Sequence, residues 1–397
     1  MPPVVAMTGA GGEPVLVLGG GLMGLATAHA LARRGRAVLV LSRRRSEAAG
    51  FVAAGMLAPH AEGLEGTMLE LGRRSLERIP GWVAAIEADA GLSCGLWRCG
   101  IVVPFPSPEE RDAFPTARHG IPLERSALER EVAGIGPRWR AGLLFAQDGQ
   151  IDNRRRLMRA LERACSALGV RFQEGSEVLS LDAAGGRLAG VWTRTVEGQE
   201  RLISCRQAVL ACGAWSARLL PELAVFPVKG QMLSLQGPRQ AVERVLFGPG
   251  TYLVPRRDGL LVVGATSEPE AGFGGGLTPQ GQRQLQEGIE ALLPAAAHWP
   301  PMERWWGFRP GTPDQAPLLG PSPLDGLWLA TGHYRNGVLL AAITAELISR
   351  QLAGGAGAGH DDDVQDLLKC FHWDRFLPSG ESRPPLASPP AQGSVWP

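Results

Sequence analysis

The stretch Val15–Ser42, VLVLGGGLMGLATAHALARRGRAVLVLS, constrains the fold of this chain more than any other. Val15–Leu18 is a short apolar run of the kind that forms a buried strand. It runs directly into Gly19-Gly20-Gly21-Leu22-Met23-Gly24, which satisfies G-x-G-x-x-G. From Leu22 to Arg34 the apolar residues recur at helical spacing, Gly35 closes the helix, and Ala37–Leu41 returns as a parallel strand. Each glycine has a physical task in such a unit. Gly19 permits the tight turn, Gly21 lets the backbone approach a pyrophosphate, and Gly24 lets helix and strand pack closely. The helix N-terminus offers unpaired N–H groups and a positive dipole end to phosphate. Embedded between strand and helix, the pattern predicts a dinucleotide site.

The end of the second strand leaves the nucleotide open. Dinucleotide folds commonly place an acid there for the ribose hydroxyls, and this chain has Ser42-Arg43-Arg44-Arg45. One reading is an NADP site in which arginine meets a 2′-phosphate. A second is an FAD site with the ribose held by Ser42 and the arginines near phosphate or solvent. A third is a solvated basic loop.

Forty basic against thirty-nine acidic residues leave a net charge of +1, which gives no electrostatic case for a nucleic acid or an anionic membrane as partner. Cys94, Cys99, Cys165, Cys205, Cys212 and Cys370 form no C-x-x-C pair and no metal-ligand spacing, so no metal site is expected and the thiols are expected to be free in a reducing cytosol. The N-terminus lacks the basic region of a signal peptide. No apolar run is long enough to span a membrane, and a cytoplasmic protein is expected.

Along the chain, Met1–Glu13 and residues 377–397 are expected as tails, with low-complexity sequence after Ala353 and a short helix at Val364–Phe376. Helical periodicity covers Leu69–Ala90, Arg154–Leu168, Gln280–Leu293 and Val338–Leu352. Strands are expected at Val170–Gln173, at Glu177–Leu181 on the nucleotide side of the same sheet, at Gln207–Ala211 and at Leu327–Ala330. Short strands between Pro-rich loops fill Leu92–Gln150 and Val225–Pro301. Glycine turns recur after Ala211, at Gly213, and after Ala330, at Gly332–Gly337. The fold class is therefore α/β, with a discontinuous Rossmann-like nucleotide-binding domain (14–90, 151–222 and 308–352) and a β-rich substrate-binding domain (91–150 and 223–307).

The ordered segments GGGLMG, AAGMLAPHAE, VLACGAW, PVKGQ, YLVPR, VVGAT, GFRPGTPD and GHYRNGVLLA carry a resemblance. Across about residues 14–376 the chain resembles the FAD-dependent amine and D-amino-acid oxidases, in particular the branch acting on glycine that feeds thiazole formation in thiamine biosynthesis. The resemblance implies Gly19, Gly21, Leu22, Met23 and Gly24 at the pyrophosphate, and Ser42 or Arg43 at the adenosine. It implies Ala49, Gly50, Ala54, Gly55 and Met56 beside the flavin, Val178 on the adenine side and Gly213 at the second turn. His333, Tyr334, Arg335, Asn336, Gly337, Val338 and Leu339 would wrap the isoalloxazine. Arg309 matches the arginine that clamps the substrate carboxylate, Arg335 a second active-site arginine, and Tyr252 a carboxylate-binding tyrosine, with Met56 beside the substrate. Ser42 stands where many relatives have a ribose-binding glutamate, and Gly250 where the family pattern has a histidine. Gly307 occupies the region equivalent to a flavin-linking cysteine, so the FAD is expected to be non-covalent. Homotetramers are frequent in the family.

The residue types suit this chemistry independently. A small α-amino acid presents one strong handle, its carboxylate, and a guanidinium matches it with a planar two-toothed fork. The bland alternatives are an Arg309–Asp314 ion pair and a core-packed Tyr252. Hydride transfer from Cα needs positioning more than a dedicated base, so the lack of a Ser/His/Asp or metal constellation does not count against an oxidase. Rival expectations are oxidation of sarcosine or small D-amino acids, an NADP-dependent dehydrogenase using Ser42–Arg44, and a non-catalytic flavin-binding module.

Overall fold

The structure, a computed structural model, describes residues 13–353 and 367–377 and the backbone of residues 4–5. The expected leader, low-complexity segment and C-terminal tail lie almost wholly outside the described residues. Of the short helix expected at Val364–Phe376, the described part has a helical turn at 367–370 and a 3-10 turn at Trp373–Phe376.

A six-stranded sheet carries the nucleotide motif. Its order is Arg171–Glu174, Val38–Ser42, Val15–Leu18, Ala208–Leu210, Leu327–Thr331 and Leu318–Pro321. The first five run parallel and the last is antiparallel. Val15–Leu18 is apolar at every position because both of its faces are covered, as parallel strands require. Side chains alternate across the sheet. Val15 and Val17 pack with Ala28, Leu31, Ile348 and Leu352 on the helical side, whereas Leu16 and Leu18 pack with Leu188, Val191 and Ile203 on the other. The helical layer comprises Leu22–Arg33, Gly66–Ala90, Met158–Ala167 and Gly337–Ala353.

One expectation about this sheet is corrected. The Val178 strand does not extend it. Glu177–Ala184 belongs to a separate antiparallel unit with Arg187–Arg194 and Glu200–Ser204, which covers the sheet's other face. The reason is chain length. A parallel neighbour needs a crossover of about a dozen residues, but only Gly175 (φ +74°) and Ser176 separate Glu174 from Glu177. Helix bounds also differ: Gly66–Ala90 begins before the expected Leu69, and the Arg154 helix opens with a wide turn at Asn153–Leu157 before Met158.

The second sheet has eight strands, in the order Pro301–Gly311, Phe226–Gln236, Leu260–Gly264, Thr251–Pro255, Val245–Gly248, Ile101–Phe105, Ala141–Phe145 and Ile121–Glu124. The helix Pro279–Leu292 seals one face through Leu285, Ile289 and Leu292 against Leu233, Leu253 and Val263. The opposite face, with Met232, Val254 and Tyr252, looks back toward Ala54 and Met56. Pro301–Gly311 pairs with Phe226–Gln236 from Phe226↔Gly311 onward, so this strand runs across the boundary expected at 308. Cys94, Cys99, Cys165, Cys205 and Cys212 are free thiols.

Candidate active site

Between the two sheets lies a cavity of about 350 Å³, within the range of roughly 300–1,000 Å³ that small-molecule and cofactor sites occupy. One end is the glycine turn. The helix Leu22–Arg33 begins there with no side-chain cap and no acid in its first turn, so its first N–H groups have no partner inside the helix. The helix Gly337–Ala353 also has no acid in its first turn, and Gly337 likewise lines the cavity. That donor set suits a pyrophosphate. Gly24 faces away from the cavity and does its work by packing: a Cβ there would lie 1.8 Å from the Gly19 carbonyl oxygen.

The basic run beyond the second strand is neutralised. Arg43 pairs with Glu47 at 2.5 Å and Glu177 at 3.4 Å, Arg44 with Glu47 at 3.0 Å, and Arg45 with Glu174 at 2.8 Å and Glu162 at 2.9 Å. A 2′-phosphate would compete with four carboxylates, which disfavours the NADP reading. Glu47, which lines this end of the cavity, is an acid that the sequence reading passed over.

Ser42, Arg43, Ala49, Gly50, Ala54, Gly55, Met56, Val178 and Gly213 line the cavity, as do Gly19, Gly21, Leu22, Met23, His333, Tyr334, Arg335 and Val338. Asn336 and Leu339 do not. Asn336 starts the last helix, accepting from the Leu340 N–H at 2.9 Å, and Leu339 is buried in the helical core with its carbonyl held by Ser75 Oγ at 2.5 Å. His333 is buried, and its Nε2 lies 3.0 Å from Thr344 Oγ1. Burial takes its pKa down to about 3, so the ring is neutral. Cys212 also lines the cavity; its thiol donates to the Leu18 carbonyl at 3.2 Å and burial pushes its pKa up to about 12, leaving no reactive thiolate. Gly307 lines the cavity too, whereas Gly250 sits in a hairpin turn outside the lining.

At the other end the three predicted polar side chains converge. Arg309 comes from Pro301–Gly311 and donates from Nη1 to the Thr266 carbonyl at 3.0 Å. Tyr252 comes from Thr251–Pro255, its hydroxyl 3.6 Å from Met232 Sδ. Arg335 comes from the turn before the last helix. Two glycines clear the space: a Cβ at Gly230 would lie 2.4 Å from Arg309 Nη1, and one at Gly264 2.5 Å from the Tyr252 hydroxyl. Asp314 is not the partner of Arg309, because Arg375 holds it at 2.8 and 3.0 Å. Among the described residues no carboxylate is in ion-pair contact with Arg309. Burial raises the Tyr252 pKa despite the nearby arginines, so the phenol stays protonated and able to donate.

Sequence reasoning missed Glu62. It lines the cavity, with its side chain 8% exposed, and Oε2 lies 3.7 Å from Arg335 Nε. Burial raises its pKa, while Arg335 and Arg309 pull it back. The segment HAE carried no signal beyond its charge; the pairing joins positions distant in the chain. Glu62 is placed by Asp148, which is fully buried, accepts from the His60 and Ala61 N–H groups at 3.1 and 2.8 Å, and lies 2.7 Å from His60 Nδ1. Trp305 lies outside the cavity lining. Its indole N–H donates to the Val52 carbonyl at 2.9 Å, and Trp306 packs on Phe308 with the ring centroids 5.4 Å apart.

Residues 14–351 match the DAO family, described as FAD dependent oxidoreductase. The chain is 42% identical over 392 residues to the bifunctional protein ThiO/ThiG of Synechocystis, covering 96% of this chain and 57% of that one. It is 32% identical over 354 residues to the glycine oxidase of Pseudomonas aeruginosa, covering 86% and 95%. The crystal structure of glycine oxidase from Geobacillus kaustophilus superposes with a TM-score of 0.82 at 26% identity, covering 92% of this chain and 99% of that one. The chain thus spans little more than half the length of the bifunctional relatives that it matches. No helix among the described residues is long and apolar enough to cross a membrane, and none of their His, Cys, Asp and Glu side chains cluster so as to hold a metal ion.

Proposed function

The chain belongs to the DAO family of FAD-dependent oxidoreductases, and on that premise we propose that it is a glycine oxidase. It takes glycine and O2 to the imine and H2O2, and water then converts the imine to glyoxylate and ammonia. Within the cell it supplies the imine for thiazole formation in thiamine biosynthesis, in the cytoplasm, and a homotetramer is its expected assembly. The observation that carries this reading is the meeting of Arg309 and Tyr252 at one end of a cavity whose other end suits a dinucleotide. The six-stranded sheet with its helices binds the cofactor, and the eight-stranded sheet roofs the reactive end.

FAD binds non-covalently. Bound there, it would supply the acceptor for the hydride leaving Cα and the route by which both electrons reach O2. The chain's own residues do the rest. Arg309 holds the carboxylate with two parallel N–H donors. Tyr252, kept neutral by burial, adds a third donor. Arg335 is already ion-paired with Glu62, so it shapes the pocket beside the clamp and leaves the carboxylate to Arg309. Burial of the substrate in the cavity disfavours its ammonium form, which must lose a proton before hydride can leave. His333 is neutral and bonded to Thr344, and acts through its backbone around the cofactor.

Peroxide assays run side by side on glycine, sarcosine and D-alanine with the yellow protein test the proposal. Glycine is expected to give turnover, and Arg309→Ala to keep its FAD while losing about 2–5 kcal/mol of substrate binding. Turnover confined to sarcosine or D-alanine would reassign the substrate, and NADPH binding without peroxide would reject an oxidase.

A further inference from the structure

Four carbonyls of the segment Gly50–Gly55, most of which lines the cavity, are held by donors from outside it. The Asn153 amide donates to Gly50 O, the Trp305 indole to Val52 O at 2.9 Å, the Arg256 guanidinium to Ala54 O, and the Ile151 N–H to Gly55 O at 2.8 Å. Of these four donors only Arg256 is charged. It follows the strand Thr251–Pro255, is 5% exposed, and also donates to Gln150 Oε1, whose amide returns to the Pro255 carbonyl. Its Nε lies 3.5 Å from Asp152 Oδ1, and Asp152 is shared with Arg155 at 2.8 Å. Burial lowers the Arg256 pKa to about 10, which still leaves a cation at neutral pH.

A trans peptide sets its C=O and N–H antiparallel. With Ala54 O turned toward Arg256, the Gly55 N–H of the same peptide is turned the other way. Gly55 lines the cavity, and no acceptor for its N–H is found among the described residues. A cation on the carbonyl end of a peptide draws electron density from its N–H and makes that N–H a stronger donor.

We infer that Arg256 is a positioning residue for the cofactor, its buried charge fixing and polarising the Ala54–Gly55 peptide so that the Gly55 N–H supports negative charge on a reduced flavin. The inference rests on the reading that this cavity holds FAD. Asp152 opposes the effect by partly neutralising Arg256. The YLVPR segment thereby gains a role for its arginine.

The two charges predict shifts of opposite sign. Sulfite adds its lone pair to oxidised flavin and bleaches the visible band, so its Kd reports how well a site supports negative charge on the ring. In the FAD-loaded protein, Arg256→Gln is expected to weaken sulfite binding about tenfold, while Arg256→Lys stays within about threefold of wild type and Asp152→Asn tightens binding about threefold. Melting temperatures and the Kd for FAD are measured alongside. If Arg256→Gln does not retain FAD, Asp152→Asn decides alone. An unchanged sulfite Kd in Arg256→Gln overturns the inference, as does an unchanged or weaker one in Asp152→Asn. A wild-type protein that takes up no FAD refutes the cofactor reading itself, a separate outcome from either of these.

Discussion

At the level of single residues, the site pairs one committed arginine with one available for an anion. Glu62 balances Arg335, whereas among the described residues no carboxylate is in ion-pair contact with Arg309, which donates to the Thr266 carbonyl beside its phenol neighbour. The state of Glu62 therefore matters to the whole protein. Because burial raises its folded pKa above the ordinary glutamate value, the unfolded chain releases this proton first as pH rises. Between the two pKa values the native state binds more protons, so stability falls with rising pH and levels once the folded carboxyl ionises. Asp148, raised mainly by its own burial, contributes with the same sign. Glu62→Gln is expected to flatten part of that decline in urea midpoints measured from about pH 4 to 7; an unaltered slope would show that Glu62 does not carry it. Arg309 and Tyr252 were legible because each stands in a distinctive motif. Glu62 was not, since nothing local marks a carboxyl as buried or reveals a partner brought in by the far end of the fold.

At the level of elements, the glycine turn is the most strongly determined part. The Val15 strand, the turn, the Leu22 helix and the Val38 strand follow from apolar period and glycine placement alone. Gly24→Ala is expected to lower the melting temperature and loosen FAD together, because its Cβ would sit 1.8 Å from a backbone oxygen with no side chain able to move aside. Overpacking of this kind costs about 1–3 kcal/mol. A thermal scan with an FAD titration checks it, and a variant that binds FAD with wild-type affinity would contradict it. The Val178 strand shows where local reading fails. Its residues form a strand, as their pattern suggests, but which sheet it joins is decided by the two-residue link from Glu174, a constraint of connection and not of propensity.

Across the whole molecule, two sheets built from interleaved segments close on one cavity. The interleaving was readable from the alternation of helical and antiparallel stretches. The seam was not: Pro301–Gly311 begins as an exposed edge strand and ends by delivering Phe308 and Arg309 to the cavity, crossing a boundary that composition would draw at 308. Donors from Arg256 and Trp305 tie the roof to the segment Gly50–Gly55, so the proposed substrate clamp and cofactor face are fixed relative to each other. The proposed function needs that coupling, because a molecule as small as glycine would have to be held by its carboxylate with Cα at the ring. Titrating the FAD-loaded protein with acetate, a carboxylate with no amine to oxidise, while following the flavin's visible band tests it most directly. The account predicts a saturable spectral change in the wild type and binding weakened at least about thirtyfold in Arg309→Ala, with the melting temperature unchanged. No spectral change in the wild type, or the same change at the same concentration in Arg309→Ala, would contradict it.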